Sequence, residues 1–382
     1  MRKIIAIILC LCMAFSLAAC GGQKDAIDPD TVAECLIVLV TDKNLLGDNG
    51  LNDSCWEGLQ LAEAEFDDLT VKCIESKGNY NESIEDAVDL DPDLIICPTA
   101  DMAEALKTDA PGYEGSVFVV FDAELPDLFN VTTIYFNKEQ TAFLAGVVAA
   151  MTTKNNVVGF IGGEQSEGAA KSLYGFTAGV VSTNKKCFIS TNYIGADGSV
   201  SQAKQTAVAQ FKLGADVIFQ VLEAKGTGVM KAAAERGFKT ISLYPNFAKQ
   251  YPDSSLCTIS KNGKSICYDL ACRMMQGTFD GQPITYGLAQ DAFYVDNAGG
   301  FIPEEVLANI DAYIDAIKAG GYVVPYDNAT YQDFVSKNLT PDEIITTDQA
   351  VAVTGGATES DVPRDKNGVP IGQEITNEEG AH

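Results

Sequence analysis

Positions 35–41 carry the sequence Cys-Leu-Ile-Val-Leu-Val-Thr, an unbroken apolar run that sets the fold of this chain. A run of this length is typical of a strand that is buried on both faces of a parallel sheet. The next segment, residues 53–66, places apolar side chains such as Trp56 and Leu59 broadly on one side of a helix. The same order of strand and helix recurs along the chain, which predicts an α/β fold with doubly wound parallel sheets.

The alternation forms two consecutive series, which predict two lobes. In the first series we expect strands at 35–41, 70–74, 94–97 and 117–121 and helices at 53–66, 82–89 and 101–108. In the second we expect strands at 157–161, 187–193, 217–221 and 240–244 and helices at 139–151, 168–181, 201–213 and 228–236. Because ligands bind at the carboxyl ends of parallel strands, two lobes can enclose a solute in a cleft between them.

The chain is expected to cross between the lobes more than once. We assign residues 34–137 and 257–283 to an N-terminal lobe, and residues 138–256 and 284–339 to a C-terminal lobe that ends in a helix at 303–319. Residues 340–382 hold nine acidic and two basic side chains but few large apolar ones. Burial of so little apolar surface does not offset the entropy of ordering, so we expect a flexible acidic tail, with a short docked strand at 350–353.

The first nineteen residues have the pattern of an export signal. A basic start is followed by an apolar stretch, residues 4–19, which is short for a bilayer-spanning helix of about 20 residues. Leu17-Ala18-Ala19-Cys20 resembles a bacterial lipobox, and this resemblance implies a lipid on Cys20. We therefore expect a membrane-anchored protein that faces outside the cytoplasm, with residues 20–33 as its tether. A plain transmembrane anchor is the alternative.

Charge and histidine content exclude several function classes. The net charge of −27 is unsuited to neutralising phosphates, so nucleic acid is not an expected partner. The single histidine, His382, is the last residue, which argues against a Ser-His-Asp or Cys-His nucleophile and a histidine-ligated metal. We expect no enzyme activity, no cofactor and no metal. Eight cysteines follow Cys20 without a Cys-x-x-Cys motif, and we expect buried free thiols in preference to a disulfide framework.

Polar residues follow several predicted strands at their carboxyl ends. Asp42, Asp122 and Lys261 each occupy such a position, where a side chain that faces a ligand is expected. A helix cap or a solvated loop charge is the alternative for each one alone. The segment Lys225-Gly226-Thr227-Gly228 lacks the Walker pattern, but it offers backbone amides at a helix start. The glycines at 159–163 lack the dinucleotide-binding spacing and fit a tight turn between strand and helix.

Further motifs follow one another in a defined order between the lipobox and about residue 320. They are Asp48-Asn49-Gly50-Leu51-Asn52-Asp53, Ala142-Phe143-Leu144-Ala145-Gly146, Val158-Gly159-Phe160-Ile161-Gly162-Gly163, Gly175-Phe176-Thr177-Ala178-Gly179, Gly214-Ala215-Asp216-Val217-Ile218, Gly226-Thr227-Gly228-Val229 and Tyr268-Asp269-Leu270. In this order they resemble the basic membrane protein family of bacterial ABC-transporter substrate-binding lipoproteins, whose characterised members bind purine nucleosides. The resemblance implies a type I periplasmic-binding-protein fold, in which several strands form the hinge between the lobes.

The resemblance also implies the ligand-binding residues and the partners. Those residues are Asp42, Leu51, Asn52, Asp122, Gly226, Tyr244, Asn246 and Lys261. Leu51 stands where the family has a phenylalanine that stacks on the base, and Tyr244-Pro245-Asn246 replaces an Asp-x-Asp that holds the ribose. The implied partners are a nucleoside-like solute and an ABC permease in the membrane, and a monomer is expected.

Two other functions fit the same residues. One is a surface sensor that presents its ligand to a membrane receptor. The other is a hydrolytic enzyme on this scaffold, in which Asp42 and Asp122 act as a carboxylate pair for acid–base chemistry.

The lipid anchor gives a direct test. Cys20→Ser removes the thiol that would carry the lipid, so the protein should either leave the membrane fraction after processing or remain as the unprocessed precursor. Fractionation of cells followed by mass spectrometry of the intact chain measures both outcomes. A processed Cys20→Ser protein that stays in the membrane as fully as the unmodified chain would contradict the anchor.

Overall fold

The computed structural model describes residues 34–297 and 299–338. The expected export signal, the expected lipidation site Cys20 with its tether, and the expected acidic tail with the strand at 350–353 lie outside the described residues. None of the helices within the described residues is both long and apolar enough to cross a membrane.

Strands and helices alternate through the described residues. The strands are β1 (Cys35–Val40), β2 (Leu69–Ile74), β3 (Leu94–Cys97), β4 (Phe118–Phe121), β5 (Val131–Phe136), β6 (Val157–Gly162), β7 (Phe188–Tyr193), β8 (Val217–Gln220), β9 (Lys239–Ser242), β10 (Ser255–Lys261), β11 (Ile284–Tyr286) and β12 (Phe293–Asp296). The helices are α1 (Leu51–Glu65), α2 (Tyr80–Val88), α3 (Ala103–Asp109), α4 (Lys138–Thr152), α5 (Glu167–Thr183), α6 (Val200–Lys212), α7 (Thr227–Arg236), α8 (Pro245–Gln250), α9 (Gly263–Met275), α10 (Glu304–Lys318) and α11 (Asn328–Asn338). Short 3-10 turns lie at Ala100–Met102, Ala110–Gly112, Glu223–Gly226 and Leu288–Gln290.

The strands form two sheets with the same topology. The first has the order β2-β1-β3-β4-β5-β11 and the second the order β7-β6-β8-β9-β10-β12. The pairs β1–β2, β1–β3, β6–β7 and β6–β8 are all parallel. In each sheet the strand order reverses beside the first strand, between β1 and β3 and between β6 and β8. This confirms the predicted fold of two doubly wound parallel-sheet lobes.

Two compact units contain these sheets. Within the described residues, the first unit comprises the chain from residue 34 to Phe136 together with Lys261–Ala292, and the second comprises Asn137–Ser260 and the chain from Phe293 to residue 338. The boundaries expected at 257 and 284 were wrong. β10 pairs with β9 and stays in the second sheet, and β11 pairs with β5 in the first, because a strand joins the neighbour that its crossover places beside it.

Helices of the first unit approach closely through glycine. A methyl group at Gly58 of α1 would lie 2.3 Å from the Lys264 carbonyl oxygen, and one at Gly263 of α9 would lie 2.7 Å from the Cys55 sulfur. Real Cβ atoms do not pack at such distances, so α1 and α9 are in contact along their backbones. This packing fixes the start of α1, which follows the loop after β1.

Helices α4 and α5 of the second unit pack in the same manner. A methyl group at Gly175 would lie 2.0 Å from the Glu139 carbonyl oxygen, and one at Gly179 would lie 2.2 Å from that of Phe143. A step of four residues on one helix matches a step of four on the other, so the two helices run parallel. Burial raises the pKa of the Glu139 carboxyl group, which lies in the first turn of α4.

The cysteines of the described residues are free thiols. Cys55, Cys97, Cys187, Cys257 and Cys267 are buried, and Cys35, Cys73 and Cys272 are half-buried. Burial raises the pKa of Cys97 to about 12, and burial followed by the charge of Asp216 does the same for Cys187. These thiols therefore act as small apolar side chains in the core.

The close helix contact predicts opposite effects for one substitution at two positions of α5. Gly175→Ala should lower the free energy of unfolding by about 1–3 kcal/mol, because the new methyl group overlaps the Glu139 carbonyl. Gly168→Ala should raise it by about 0.5–1 kcal/mol, because alanine restricts the unfolded chain and meets only ordinary contacts near Lys138. Urea denaturation measures both. Equal effects of the two substitutions would contradict the packing.

Candidate functional site

The candidate site of the first unit lies at the carboxyl edge of its sheet, where the strand order reverses. The loop after β1 holds Asp42 and Lys43, and the loop after β3 holds Asp101. Lys43 Nζ lies 3.2 Å from Asp101 Oδ2, so an ion pair joins the two loops. In an open parallel sheet this is the position at which ligands bind.

The Asp42 carboxylate organises its own loop. Its Oδ1 accepts hydrogen bonds from the Asn44 backbone N–H at 2.7 Å and from Asn52 Nδ2 at 2.6 Å. Its Oδ2 accepts one from Asn44 Nδ2 at 2.8 Å. A carboxylate has about four lone-pair positions, so these three bonds leave one on Oδ2.

Asn52 is buried beneath this loop, with 1 % of its surface exposed. Its Nδ2 also lies 3.1 Å from the Leu45 carbonyl oxygen and 3.2 Å from Asp48 Oδ2, and its Oδ1 accepts from the Asp42 N–H at 3.0 Å. These partners use both amide hydrogens, so Asn52 has no donor left for a ligand. Leu45 has a φ of 61°, an unfavourable value for a bulky residue, which the bond to its carbonyl helps to maintain.

Two further carboxylates hold the rest of the loop. Asp53 accepts from the Gly47 N–H at 2.6 Å and from the Asn49 N–H at 2.7 Å, and Asp48 accepts from the Gly50 N–H at 2.7 Å. Gly47 and Asn49 both have positive φ, so the turn is tight and its amides point inward. Leu51, the first residue of α1, is half-buried at the end of this turn.

Asp122 and Lys261 form an ion pair in the same unit. Lys261 Nζ donates to Asp122 Oδ2 and lies 4.5 Å from the centre of the Phe136 ring, which combines a charge pair with a cation–π contact. About 27 % of the Asp122 side chain and 29 % of the Lys261 side chain are exposed. Asp122 directly follows β4 with a φ of 58°, and its N–H donates to the Ile134 carbonyl oxygen at 2.9 Å. The backbone therefore presents this pair in a fixed position.

The remaining expected residues lie in the second unit, after β8 and β9. The Gly226 N–H donates to the Leu222 carbonyl oxygen at 3.2 Å within its 3-10 turn, and a methyl group at Gly226 would lie 2.5 Å from Gln220 Oε1. Its amide is thus engaged, and its lack of a side chain is what the turn requires. Tyr244 is half-buried with its ring centre 5.9 Å from that of Phe247, and Asn246 is exposed at the start of α8.

The structure thus joins Asp42 to Asn52 and Asp122 to Lys261, and it places Gly226, Tyr244 and Asn246 in the other unit. Sequence reasoning missed the Lys43–Asp101 pair, the hydrogen bonds that Asp48 and Asp53 accept within their loop, and the ring of Phe136. The Lys43–Asp101 pair could have been found from the sequence, because both residues closely follow the end of a strand. Lys43 comes three residues after β1, and Asp101 comes four residues after β3. Among the described residues no group of three His, Cys, Asp or Glu side chains is placed to hold a metal ion.

Comparison with known proteins identifies the family. The family of ABC transporter substrate-binding proteins described as PnrA-like matches residues 36–318. The chain belongs to this family. Its sequence is 29 % identical over 336 residues to a CD4+ T-cell-stimulating antigen of Listeria innocua, an alignment that covers 81 % of this chain and 94 % of the relative. It is 26 % identical over 344 residues to basic membrane protein A2 of Borrelia garinii, covering 88 % of this chain and 100 % of that one.

A third relative and one solved structure add to this comparison. The ABC transporter nucleoside-binding protein BmpA of Lactococcus lactis is 28 % identical over 295 residues, covering 70 % of this chain and 84 % of the relative. An ABC transporter solute-binding protein of Conexibacter woesei aligns with a TM-score of 0.59 at 18 % identity, covering 76 % of this chain and 99 % of that one, which shows the shared fold. The resemblance inferred from the motifs is confirmed: this is a substrate-binding protein of the ABC-transporter type, whose partners are a small-molecule ligand and a permease.

The buried amide of Asn52 predicts a large effect for one substitution. Asn52→Leu should lower the free energy of unfolding by about 2–4 kcal/mol, because it leaves the Asp42 N–H, the Leu45 carbonyl and two carboxylates without their partner. Asn44→Ala removes bonds only from an exposed position and should cost less than about 1 kcal/mol. Thermal and urea denaturation of both variants test this. Similar costs for the two would show that Asn52 does not organise the loop.

Proposed function

We propose that this chain is a lipid-anchored receptor on the outer face of the cytoplasmic membrane that binds a nucleoside or nucleoside-like solute for an ABC importer. The observation that carries the ligand class is the ion pair of Asp122, which follows β4 of the first sheet, with Lys261, the last residue of β10, beside the ring of Phe136. The relative from Lactococcus lactis that is named as nucleoside-binding supports the same class.

The chemistry of the pair suits a nucleobase. The edge of a base combines N–H donors with ring-nitrogen and carbonyl acceptors. Asp122 Oδ1 accepts from the base, and the remaining N–H groups of Lys261 donate to it. Because both side chains are about three-quarters buried, their hydrogen bonds to a ligand compete with less water than those of a surface pair. Each such bond contributes about 1.5–3 kcal/mol.

The other site residues set the preference among solutes. Asp42 offers the one lone pair that its loop leaves open, and Asn52 holds Asp42 in place instead of meeting the solute. Leu51 covers a ring with an aliphatic side chain, which forgoes the aromatic contribution of about 0.5–1.5 kcal/mol. In the second unit Tyr244 and Asn246 supply uncharged hydrogen-bonding groups, and Gly226 provides room for the turn.

A binding role fits these carboxylates better than acid–base catalysis does. Asp122 is paired with Lys261, and Asp42 accepts three hydrogen bonds from its own loop, so each carboxylate has little capacity left to exchange a proton with a substrate. The lipid on Cys20 keeps a monomeric receptor at the membrane that contains the permease, so that a released solute meets the importer at high local concentration.

A thermal-shift screen of nucleosides, bases, sugars and amino acids tests the ligand class. A ligand at a hundred times its dissociation constant should stabilise the protein by about 2.7 kcal/mol. Asp122→Asn should remove most of that shift, because asparagine tolerates the positive φ but lacks the charge. Asp91→Asn is the matched control, since Asp91 is an exposed aspartate of the same unit with a φ of 52°.

Leu51→Phe should improve purine nucleosides more than pyrimidine nucleosides, because the larger base stacks better on a ring. The variant is screened beside the unmodified chain with the same compounds. A shift by amino acids alone, or a full nucleoside shift in Asp122→Asn, would exclude the proposed ligand class.

A further inference from the structure

The second unit has a strongly basic surface in a chain whose net charge is −27. It consists of the loops 153–156, 184–187, 212–216 and 236–239, which precede β6, β7, β8 and β9, and we call it the basic edge. These loops contain six cationic side chains and one carboxylate, that of Asp216. The cations are Lys154, Lys185, Lys186, Lys212, Arg236 and Lys239.

Hydrogen bonds tie these loops into one surface. The Asp216 carboxylate accepts from Thr153 Oγ1 at 2.5 Å and from the Lys154 N–H at 2.7 Å, and the Asp216 carbonyl accepts from the Lys239 N–H at 2.9 Å. Asn184 Nδ2 donates to Asn156 Oδ1 at 2.7 Å. The parallel packing of α4 and α5 brings the ends of both helices, and the lysines that follow them, to this edge.

The charge of this edge is exposed. Five of its cations are exposed, namely Lys154, Lys185, Lys186, Lys212 and Arg236. The carboxylate of Asp216 accepts hydrogen bonds from within the loops. Two further acidic residues border the edge. Glu235 pairs with Lys204 Nζ at 2.6 Å, and Asp253 accepts from Lys239 Nζ through its backbone carbonyl at 2.5 Å. The six cations outnumber Asp216 and these two neighbours, and charges beyond the Debye length of about 8 Å are largely screened, so a surface that approaches this edge meets a positive potential.

An exposed aromatic ring accompanies these cations. Phe301 is 39 % exposed, and its ring centre lies 3.5 Å from Lys239 Nζ. A soluble polyanion needs only the cations, whereas the interface of a bilayer accommodates aromatic rings together with lysine and arginine side chains. The combination therefore favours a lipid surface as the partner.

We propose that the basic edge docks on an anionic lipid surface and holds the second unit with the carboxyl ends of its strands turned away from the bilayer. The nearby membrane rests on the proposed lipid anchor: a tether of residues 20–33 reaches at most about 50 Å, so the protein stays close to a bilayer. In this orientation Gly226, Tyr244 and Asn246, which follow β8 and β9, remain open to solute.

The experiment measures binding to vesicles without the lipid anchor. The chain from residue 20 onward, with Cys20→Ser, is sedimented with vesicles of phosphatidylcholine alone or mixed with phosphatidylglycerol. It should bind only the vesicles with phosphatidylglycerol and be released in about 1 M salt, where the Debye length is about 3 Å. Joint Lys154→Gln, Lys186→Gln and Lys212→Gln substitution should weaken binding about 100-fold.

The matched control carries Lys72→Gln, Lys77→Gln and Lys107→Gln, which change the net charge equally on exposed positions of the first unit, and it should bind within about threefold of the unmodified chain. Equal loss in both triple variants, no binding to phosphatidylglycerol vesicles, or binding to soluble polyphosphate alone would overturn the proposal. The nucleoside thermal shift should be unchanged in the basic-edge variant. A chain that binds the vesicles as expected but shows no nucleoside shift supports the docking and refutes only the proposed ligand class.

Discussion

A parallel sheet hides both of its faces from water, so helices have to cover it closely on both sides, and this constraint determines the positions of the other elements. In the first unit α1 and α9 meet at Gly58 and Gly263, and in the second α4 and α5 meet at Gly175 and Gly179. A side chain at these glycines would separate the helices. This close contact fixes where the helices begin and end. It therefore also holds the loops at the edges of the sheets.

Fixed helix ends make rigid loops possible at the carboxyl edge. The loop after β1 has little regular structure, yet its amides and carboxylates are paired with one another around the buried amide of Asn52. Asp122 is likewise held by a backbone bond in a conformation that few residues adopt. These loops are therefore ordered in advance, and a solute that bound at the proposed site would lose less conformational entropy. Positive φ at Leu45 and Asp122 is the local cost of that order.

Much of the fold could be predicted because buried parallel strands are continuous apolar runs. β1, β3 and β4 are of this kind. Their ends could therefore be predicted, and with them the positions of Asp42 after β1 and Asp122 after β4. β5 has the sequence Val-Thr-Thr-Ile-Tyr-Phe, whose threonines are buried at the sheet and conceal it from a search for apolar residues. The sheet to which β10 or β11 belongs depends on long-range pairing, which a local pattern does not contain. The roles of Asn52 and Gly226 depend on which atoms their loops already use, and this too appears only in three dimensions.

Burial of the thiols has a further consequence for how this protein can be followed. A thiol reacts through its thiolate, and burial raises the pKa of Cys97 and of Cys187 to about 12, so few of these side chains are ionised at neutral pH. Alkylation therefore has to wait until the surrounding segment opens and the pKa returns to its ordinary value. Cys97 ends β3 of the first unit, and Cys187 precedes β7 of the second. The order in which Cys97 and Cys187 become alkylated therefore records which of the two units opens first.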